Sequence, residues 1–175
     1  MDLDENEERC NLEKTSKEKP LVITRIFDAP RKLVWKAWME PEHVKHWWGP
    51  KDYSAPHISI DFRVGGSYLY CMRSPEGEDY WSTGVYQKIV EPERIVCTDS
   101  FSDEDGNVVP ASHYEMPGDW PLKLLVTVTF EEHEDKTEMT LQHAGLPSEM
   151  VETTGIGWEQ SFDKLAEHLA SFEIG

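Results

Sequence analysis

Gly157-Trp-Glu-Gln-Ser-Phe-Asp-Lys-Leu-Ala-Glu-His-Leu-Ala-Ser-Phe172 is the stretch on which the fold of this chain depends. Its large apolar residues recur at steps of four, three and four positions: Trp158, Phe162, Leu165 and Leu169. This is the spacing of one face of an α-helix, and charged residues fall largely on the other side. Because such an aromatic stripe needs a broad apolar cover, the stretch predicts a long C-terminal helix packed on another layer.

The cover is predicted to be a sheet, because most of the upstream sequence is rich in β-branched and aromatic residues broken by turns. The connections after residue 53 are too short for parallel crossovers, so the strands are expected to be antiparallel. The predicted strands are Leu21–Phe27, Ser54–Phe62, Ser67–Arg73, Tyr80–Val90, Arg94–Phe101, Leu122–Glu131 and Lys136–His143.

Two short helices are predicted between the first and second strands. Asp28-Ala-Pro30 has the pattern of a helix start, and Pro41 opens a second helix that ends at Gly49-Pro50. The predicted fold class is therefore α+β: an antiparallel seven-stranded sheet curved around a long C-terminal helix. In this helix-grip arrangement the helix covers the concave face of the sheet.

The first 19 residues differ from the rest of the chain. They hold eleven charged residues without periodicity, which predicts a disordered acidic tail and leaves 20–175 as a single domain. The long segment 102–121 is acidic and rich in Gly and Pro, yet it carries Tyr114, Met116 and Trp120. Loops of this length are usually lids or disordered segments, and the aromatic content favours a packed lid.

Charge and composition exclude several classes of function. A formal net charge of -17 argues against binding nucleic-acid phosphates or anionic lipid. No apolar run has the length of a membrane span, and the acidic N-terminus is unlike a signal peptide. The three cysteines lack metal or disulfide spacing. We therefore expect a cytoplasmic protein with reduced thiols, no membrane insertion and no nucleic-acid partner.

Several strings resemble one known family when they are taken in order. The sequence Ile23-Thr-Arg-Ile-Phe-Asp-Ala-Pro30 is followed by Val34-Trp-Lys-Ala-Trp38, Trp47-Trp-Gly-Pro50, Asp61-Phe-Arg-Val-Gly-Gly66, Gly84-Val-Tyr86, Pro92-Glu-Arg94, Gly157-Trp158 and Ser161-Phe-Asp-Lys-Leu165. Together they resemble the heat-shock-protein-90 ATPase-activator homologue family, a branch of the START-like, birch-pollen-allergen-like (SRPBCC) superfamily. The resemblance covers residues 20 to about 172.

The resemblance implies the same helix-grip fold, with a cavity between sheet and helix. Members of the superfamily mostly bind lipids, sterols or polyketide-like molecules, and a few are cyclases or hydrolases. The co-chaperone that gives the family its name has an additional N-terminal domain that this sequence lacks. A chaperone-directed role in the stress response is therefore an alternative expectation, beside small-molecule binding.

Aromatic residues are the predicted lining of the cavity, since ligand pockets are mostly apolar with a few polar tips. The competing interpretation is that these side chains only fill the core. In the Trp47-Trp48 pair, adjacent helical positions cannot share a face, so one ring should be buried and the other partly exposed. The predicted ligand-binding residues are Trp38, Trp48, Tyr68, Tyr70, Trp81, Tyr86, Phe101, Trp158 and Phe162.

Neither a metal site nor a catalytic centre is predicted. His43 and His46 stand three residues apart and could share a helical face, but no nearby cysteine or carboxylate completes a ligand set. His57, His113, His133, His143 and His168 are scattered. The candidate catalytic residues are not linked to one another by any spacing: Asp61, Arg63, Glu115 and His143.

The leading hypothesis from sequence is a non-catalytic module that holds a small hydrophobic or amphipathic ligand between sheet and helix, without a cofactor. The first alternative is a co-chaperone-like module that binds a chaperone of the heat-shock-protein-90 type and modulates its ATPase. The second alternative is a cyclase or hydrolase acting in the same cavity, which requires convergent polar groups at the cavity's base.

Overall fold

The computed structural model describes residues 19–173, and the predicted tail lies outside this range except for Lys19. Seven strands, three α-helices and two short 3-10 helices make up the described chain. In order they are β1 (Leu21–Phe27), α1 (Arg31–Met39), α2 (Pro41–Trp47), β2 (Ser54–Ile60), β3 (Ser67–Arg73), β4 (Asp79–Val90), β5 (Arg94–Ser102), a 3-10 helix (Ala111–Tyr114), β6 (Leu124–His133), β7 (Lys136–Ala144), a second 3-10 helix (Ser148–Met150) and α3 (Val151–Glu173).

The strands form one antiparallel sheet in the order β1-β7-β6-β5-β4-β3-β2. The first two strands of the chain lie at opposite edges, because α1 and α2 carry the chain from one edge to the other. The long helix α3 packs over the sheet beside these two short helices. The predicted helix-grip fold, with seven antiparallel strands and two short helices after the first strand, is confirmed.

Helix α3 is longer than the predicted stretch and begins at Val151 rather than Gly157. It runs through two glycines where neighbouring elements come close: a Cβ on Gly155 would lie 3.3 Å from a methyl group of Leu21. Of the predicted stripe, Phe162, Leu165 and Leu169 are buried. Tertiary packing therefore overrides the low helix propensity of glycine at the start of α3.

The short helices bring three tryptophans into the core: Trp35, Trp38 and Trp47. Trp35 on α1 packs edge-on against Phe62 and Phe130, with ring centres 5.7 and 5.4 Å away. The indole N–H of Trp47 donates to the carbonyl of Ala37 over 2.9 Å, which ties α2 to α1. Trp47 is fully buried and its neighbour Trp48 is partly exposed, as their adjacent positions predict.

The segment between β5 and β6 is packed against the sheet. Tyr114, in its 3-10 helix, accepts a hydrogen bond from the backbone N–H of Trp81 over 3.1 Å and donates to the carbonyl of Ser102. The Phe101 ring contacts both Tyr114 and Trp120, with centres 5.8 and 5.2 Å apart. The expected packed segment is therefore what the structure shows, because its aromatic residues bury against β4 and β5.

Candidate functional site

A small hollow lies between α3 and the concave face of the sheet. Its volume is about 30 Å³, which is room for roughly one water molecule. Most of the side chains around it are aromatic or aliphatic, and its small volume means that the interior is nearly filled. The lining residues are Trp38, Trp48, Tyr68, Tyr70, Tyr86, Ile95, Cys97, Asp99, Val126, Val128 and Trp158. We call this space the inner hollow.

Two further hollows adjoin the inner one. The helix-side hollow has a volume of about 150 Å³ and lies between Gly49-Pro50, Met72 and the first half of α3. The rim hollow has a volume of about 130 Å³ and lies between the ends of β4 and β5 and the side chain of Trp120. All three hollows border Trp48.

Trp48 therefore separates three spaces that would join if its ring moved. The ring lies against Tyr70, with centres 4.5 Å apart, and edge-on to Trp158 at 5.4 Å. Trp48 is the residue directly after α2, where the backbone turns extended. Trp48 is partly exposed, whereas Trp38 and Tyr70 are buried; we call the three hollows and the Trp48 ring that they share the cleft.

The backbone around Trp48 is fixed from α3. The ammonium of Lys164 lies 3.4, 3.2 and 3.3 Å from the carbonyl oxygens of Trp48, Pro50 and Tyr53. Burial lowers the pKa of Lys164 below its ordinary range, but the carbonyl dipoles stabilise the charged form that donates to them. Opening of the cleft is therefore expected to involve rotation of the Trp48 side chain while its backbone stays in place.

A chain of polar groups crosses the wall of the inner hollow. The indole N–H of Trp158 donates to Nδ1 of His143 over 3.1 Å, and Nε2 of His143 lies 3.1 Å from Oδ2 of Asp99. The Tyr68 hydroxyl lies 3.1 Å from Oδ1 of Asp99 and 3.0 Å from the carbonyl of Thr98. These contacts link α3 to β7, β5 and β3 through one carboxylate, that of Asp99.

The tautomer of His143 follows from its partners. An indole N–H can only donate, so Nδ1 of His143 accepts and the neutral ring carries its proton on Nε2. That atom is buried and faces Asp99 at close range without full hydrogen-bond alignment. Nδ1 is thus occupied by Trp158 and Nε2 carries the ring proton, so neither nitrogen of His143 has a free lone pair for a molecule in the hollow.

The tyrosine hydroxyls of the hollow are neutral. Burial, followed by the nearby charge of Asp99, raises the pKa of Tyr68 well above its ordinary value. Burial and the neighbouring Tyr86 do the same to the pKa of Tyr70, and burial raises the pKa of Tyr86. Within the cleft these groups act as hydrogen-bond donors and acceptors, and the phenolate form is strongly disfavoured.

The sequence matches the model of the family described as "Activator of Hsp90 ATPase homolog 1-like protein" over residues 28–170. The chain belongs to this family. The match begins just after β1 and ends near the C-terminus of α3, so it includes every residue that lines the three hollows.

Solved structures share the fold of this family member. A protein of Nitrosomonas europaea is 22% identical, with a TM-score of 0.73 over 89% of this chain and 97% of its own. One from Arthrobacter aurescens, solved by NMR, is 28% identical, with a TM-score of 0.72 over 86% of this chain and 85% of its own. The AHSA1 protein of Silicibacter pomeroyi is 22% identical, with a TM-score of 0.69 over 86% and 97%. No curated protein matches the sequence significantly.

The nine predicted ligand-binding residues of this family member fall into three groups. Phe162 is fully buried behind Trp38 and Trp158 and borders none of the three hollows. Trp81 and Phe101 line the rim hollow only. The other six surround the inner hollow: Trp38, Trp48, Tyr68, Tyr70, Tyr86 and Trp158. That any of these residues binds a ligand remains a prediction.

Five residues that line the inner hollow were not predicted, Ile95, Cys97, Asp99, Val126 and Val128, and Asp99 is the charged one among them. It lies on β5, where Ile95 and Cys97 also line the inner hollow. Alternate residues of a strand face the same side of the sheet. Asp99 follows Ile95 and Cys97 at this spacing, so its position in the sequence already indicated that it faces inward. Searching such series for charged interruptions would have identified Asp99.

The four candidate catalytic residues do not form one site. Asp61 and Arg63 pair with each other on the surface, with Nε 2.9 Å from Oδ2. Glu115 is exposed, while His143 is buried beside Trp158.

Two larger depressions, of about 680 and 600 Å³, are open surface regions lined largely by charged residues and lie outside the cleft. Among residues 19–173, no helix combines the length and apolarity required to cross a bilayer.

Proposed function

We propose that this chain is a non-catalytic binding module for a small hydrophobic or amphipathic molecule held between the sheet and α3. The observation that carries the proposal is the convergence of three aromatic-lined hollows on one side chain, Trp48. The helix-grip fold is one that commonly encloses ligands, which adds support. We place the module in the cytoplasm, where the free thiols of Cys71 and Cys97 would stay reduced.

The volumes require the cleft to open on binding. Small-molecule sites typically occupy roughly 300–1,000 Å³, whereas the inner hollow holds about 30 Å³. Movement of the Trp48 ring would join this hollow to the helix-side and rim hollows. The structure, with the Trp48 ring between the hollows, is therefore the ligand-free closed state. A ligand would select or induce the open state, in which this ring has moved.

The polar groups favour one kind of ligand. Asp99 is the only charged residue that lines the inner hollow, and its carboxylate accepts hydrogen bonds. A molecule with an apolar ring system and one hydroxyl or N–H donor would satisfy it, whereas a carboxylate-bearing ligand would be repelled. We therefore propose neutral or cationic amphipathic ligands over fatty acids.

The same groups support binding more than catalysis. A general base must have a free lone pair within hydrogen-bond reach of the substrate proton. In His143, Nδ1 accepts from Trp158 and Nε2 carries the proton of the neutral ring. The tyrosine hydroxyls are neutral for the reasons given above. The cleft does contain polar groups, as the cyclase or hydrolase alternative requires, but their arrangement suits hydrogen bonding to a held ligand.

Replacing Trp48 by alanine is expected to tighten the binding of a neutral aromatic dye about tenfold. The ring would no longer have to leave Tyr70 and Trp158, contacts worth roughly 0.5–1.5 kcal/mol each. Fluorescence titration with N-phenyl-1-naphthylamine, a neutral dye with a single N–H donor, measures the dissociation constant in the wild type and in the variant.

Trp120→Ala is the matched control, because Trp120 borders the rim hollow and not the inner one. We expect its affinity for the dye to stay within about twofold of the wild type. Unchanged or weaker binding in Trp48→Ala would show that this ring is a contact surface or a bystander, and the proposed opening would then be wrong.

A chaperone-binding module is the second candidate, favoured by the family to which the chain belongs and by its net charge of -17. Such a charge could steer the protein to a basic patch on a partner. A pull-down with a purified chaperone of the heat-shock-protein-90 type tests it at low and high salt. Retention at low salt with stimulation of the ATPase supports this function, and no retention at low salt rejects it.

A further inference from the structure

Three histidines that are far apart in the sequence meet where α2 packs against the end of α3. Nδ1 of His43 lies 2.9 Å from Nε2 of His168, and the two rings are 5.2 Å apart between centres. The ring of His46 stacks on that of His168 with a centre distance of 4.8 Å. His43 and His46 share a face of α2 because they are three residues apart. The cluster lies outside the three hollows.

We propose that His43, His46 and His168 form a binding site for a divalent transition metal ion such as Zn²⁺. Imidazole nitrogen is a preferred ligand of zinc, copper and nickel. Two imidazoles bound to one tetrahedral zinc through bonds of about 2.0–2.1 Å have ring centres roughly 5 Å apart. The His43–His168 ring-centre distance of 5.2 Å is already of this size, whereas the ring of His46 is stacked on His168 and must rotate before its nitrogen faces the same point.

The carboxylate of Glu40 lies beside the cluster, a contact that was not predicted from the sequence. Its Oε2 lies 3.2 Å from Nε2 of His43. A carboxylate can only accept, so a proton on Nε2 of His43 would face Glu40 and leave the lone pair of Nδ1 directed toward His168. Metal-binding histidines commonly donate their second N–H to a carboxylate in this way, which fixes the ring and raises its basicity.

A metal ion would take the place of one proton in the cluster. One proton lies between Nδ1 of His43 and Nε2 of His168 in the metal-free state; on binding, that proton would leave to solvent and both nitrogens would bind the ion. His46 is exposed and only has to turn its ring toward the same point, which leaves the fourth position to water.

The three-histidine cluster is partly covered by Phe172, and it is distinct from a second group of potential metal ligands. Phe172 packs on His43 and His168, with ring centres 5.1 and 4.9 Å away, and so shields one side from water. Glu131, His133 and Glu138 place ligand atoms within 4.8 Å of one another, which the three histidines do only after His46 turns, but this second group lies on the surface of the β6–β7 hairpin. That group provides a matched control for the test.

The test is a zinc titration of the full chain carrying Cys10→Ser, since a free thiol also binds zinc. Competition with a chromogenic chelator measures the affinity, and Co²⁺ in place of zinc should give the visible absorption of a tetrahedral nitrogen site. We expect one Zn²⁺ per chain, at least about tenfold weaker binding in His43→Gln, His46→Gln and His168→Gln, and unchanged binding in His133→Gln.

Two results would overturn the proposal: no stoichiometric binding by the parent chain, or binding that is lost in His133→Gln and kept in the cluster variants. Circular dichroism with a chelator present checks that each variant is folded. If a variant of His43 or His168 fails to fold, His46→Gln decides the question, because this exposed side chain can be changed without disturbing the core.

Discussion

Replacing Phe162 by alanine is expected to lower the free energy of unfolding by about 3–5 kcal/mol, the range for a large aromatic residue removed from a core. The side chain is fully buried on α3. Its ring contacts Phe27 edge-on at 6.4 Å, Trp38 at 6.2 Å and Trp158 at 5.5 Å. Since no hollow adjoins it, the space left by the ring cannot merge with an existing one.

Phe172→Ala is the control for this change, because Phe172 lies on the same helix with 46% of its surface exposed. We expect it to cost less than about 1 kcal/mol. Urea unfolding of both variants gives the two free energies. A loss below about 1.5 kcal/mol for Phe162→Ala would place this residue at an open cavity and contradict the packing described here.

Gly84→Ala is expected to destabilise the sheet by about 3 kcal/mol or more through overpacking. Gly84 lies opposite Tyr68 in the β3–β4 ladder. A Cβ at this position would lie 1.9 Å from the carbonyl oxygen of Thr98 and 2.6 Å from the Tyr68 ring. The first of these is backbone within the sheet, so relief requires the strands themselves to move.

The effect of Gly84→Ala should also reach the polar network, because the ring that covers Gly84 carries the hydroxyl bonded to Asp99. Gly157→Ala is the control with the opposite expectation. Its Cβ would meet Pro50 at an ordinary 3.5 Å, so the better helix former should leave stability unchanged or raise it by up to about 1 kcal/mol. Thermal unfolding compares the two, and a Gly84→Ala variant as stable as the wild type would disprove the close contact.

The fold could be predicted because its signals are local. The apolar stripe of α3 repeats with the helical period, and β1 and β3 have the bounds expected from their β-branched and aromatic residues. The errors are at boundaries. The predicted stretch began at Gly157, whereas α3 begins at Val151; the added turn contains Gly155, where a Cβ would lie only 3.3 Å from Leu21.

The site could be predicted only in part, because its decisive properties are not local. Alternation along β3 indicates that Tyr68 and Tyr70 face inward, and both do line the inner hollow. Whether that space is open depends on where the Trp48 ring comes to rest, which no spacing reveals. The pairing of His43 with His168 joins residues 125 positions apart, and this contact exists only once α2 and α3 have packed.

The most direct test of the central claim, that a small molecule enters the aromatic cleft by displacing Trp48, is an NMR titration of the indole N–H signals. The seven tryptophans give seven such signals, which single substitutions assign. With N-phenyl-1-naphthylamine as the probe, we predict that the signals of Trp48 and Trp158 shift and show contacts to the dye. The signal of Trp35, buried between Phe62 and Phe130, should stay in place. Unchanged Trp48 and Trp158 signals at saturating dye, or shifts confined to Trp120, would contradict the proposal.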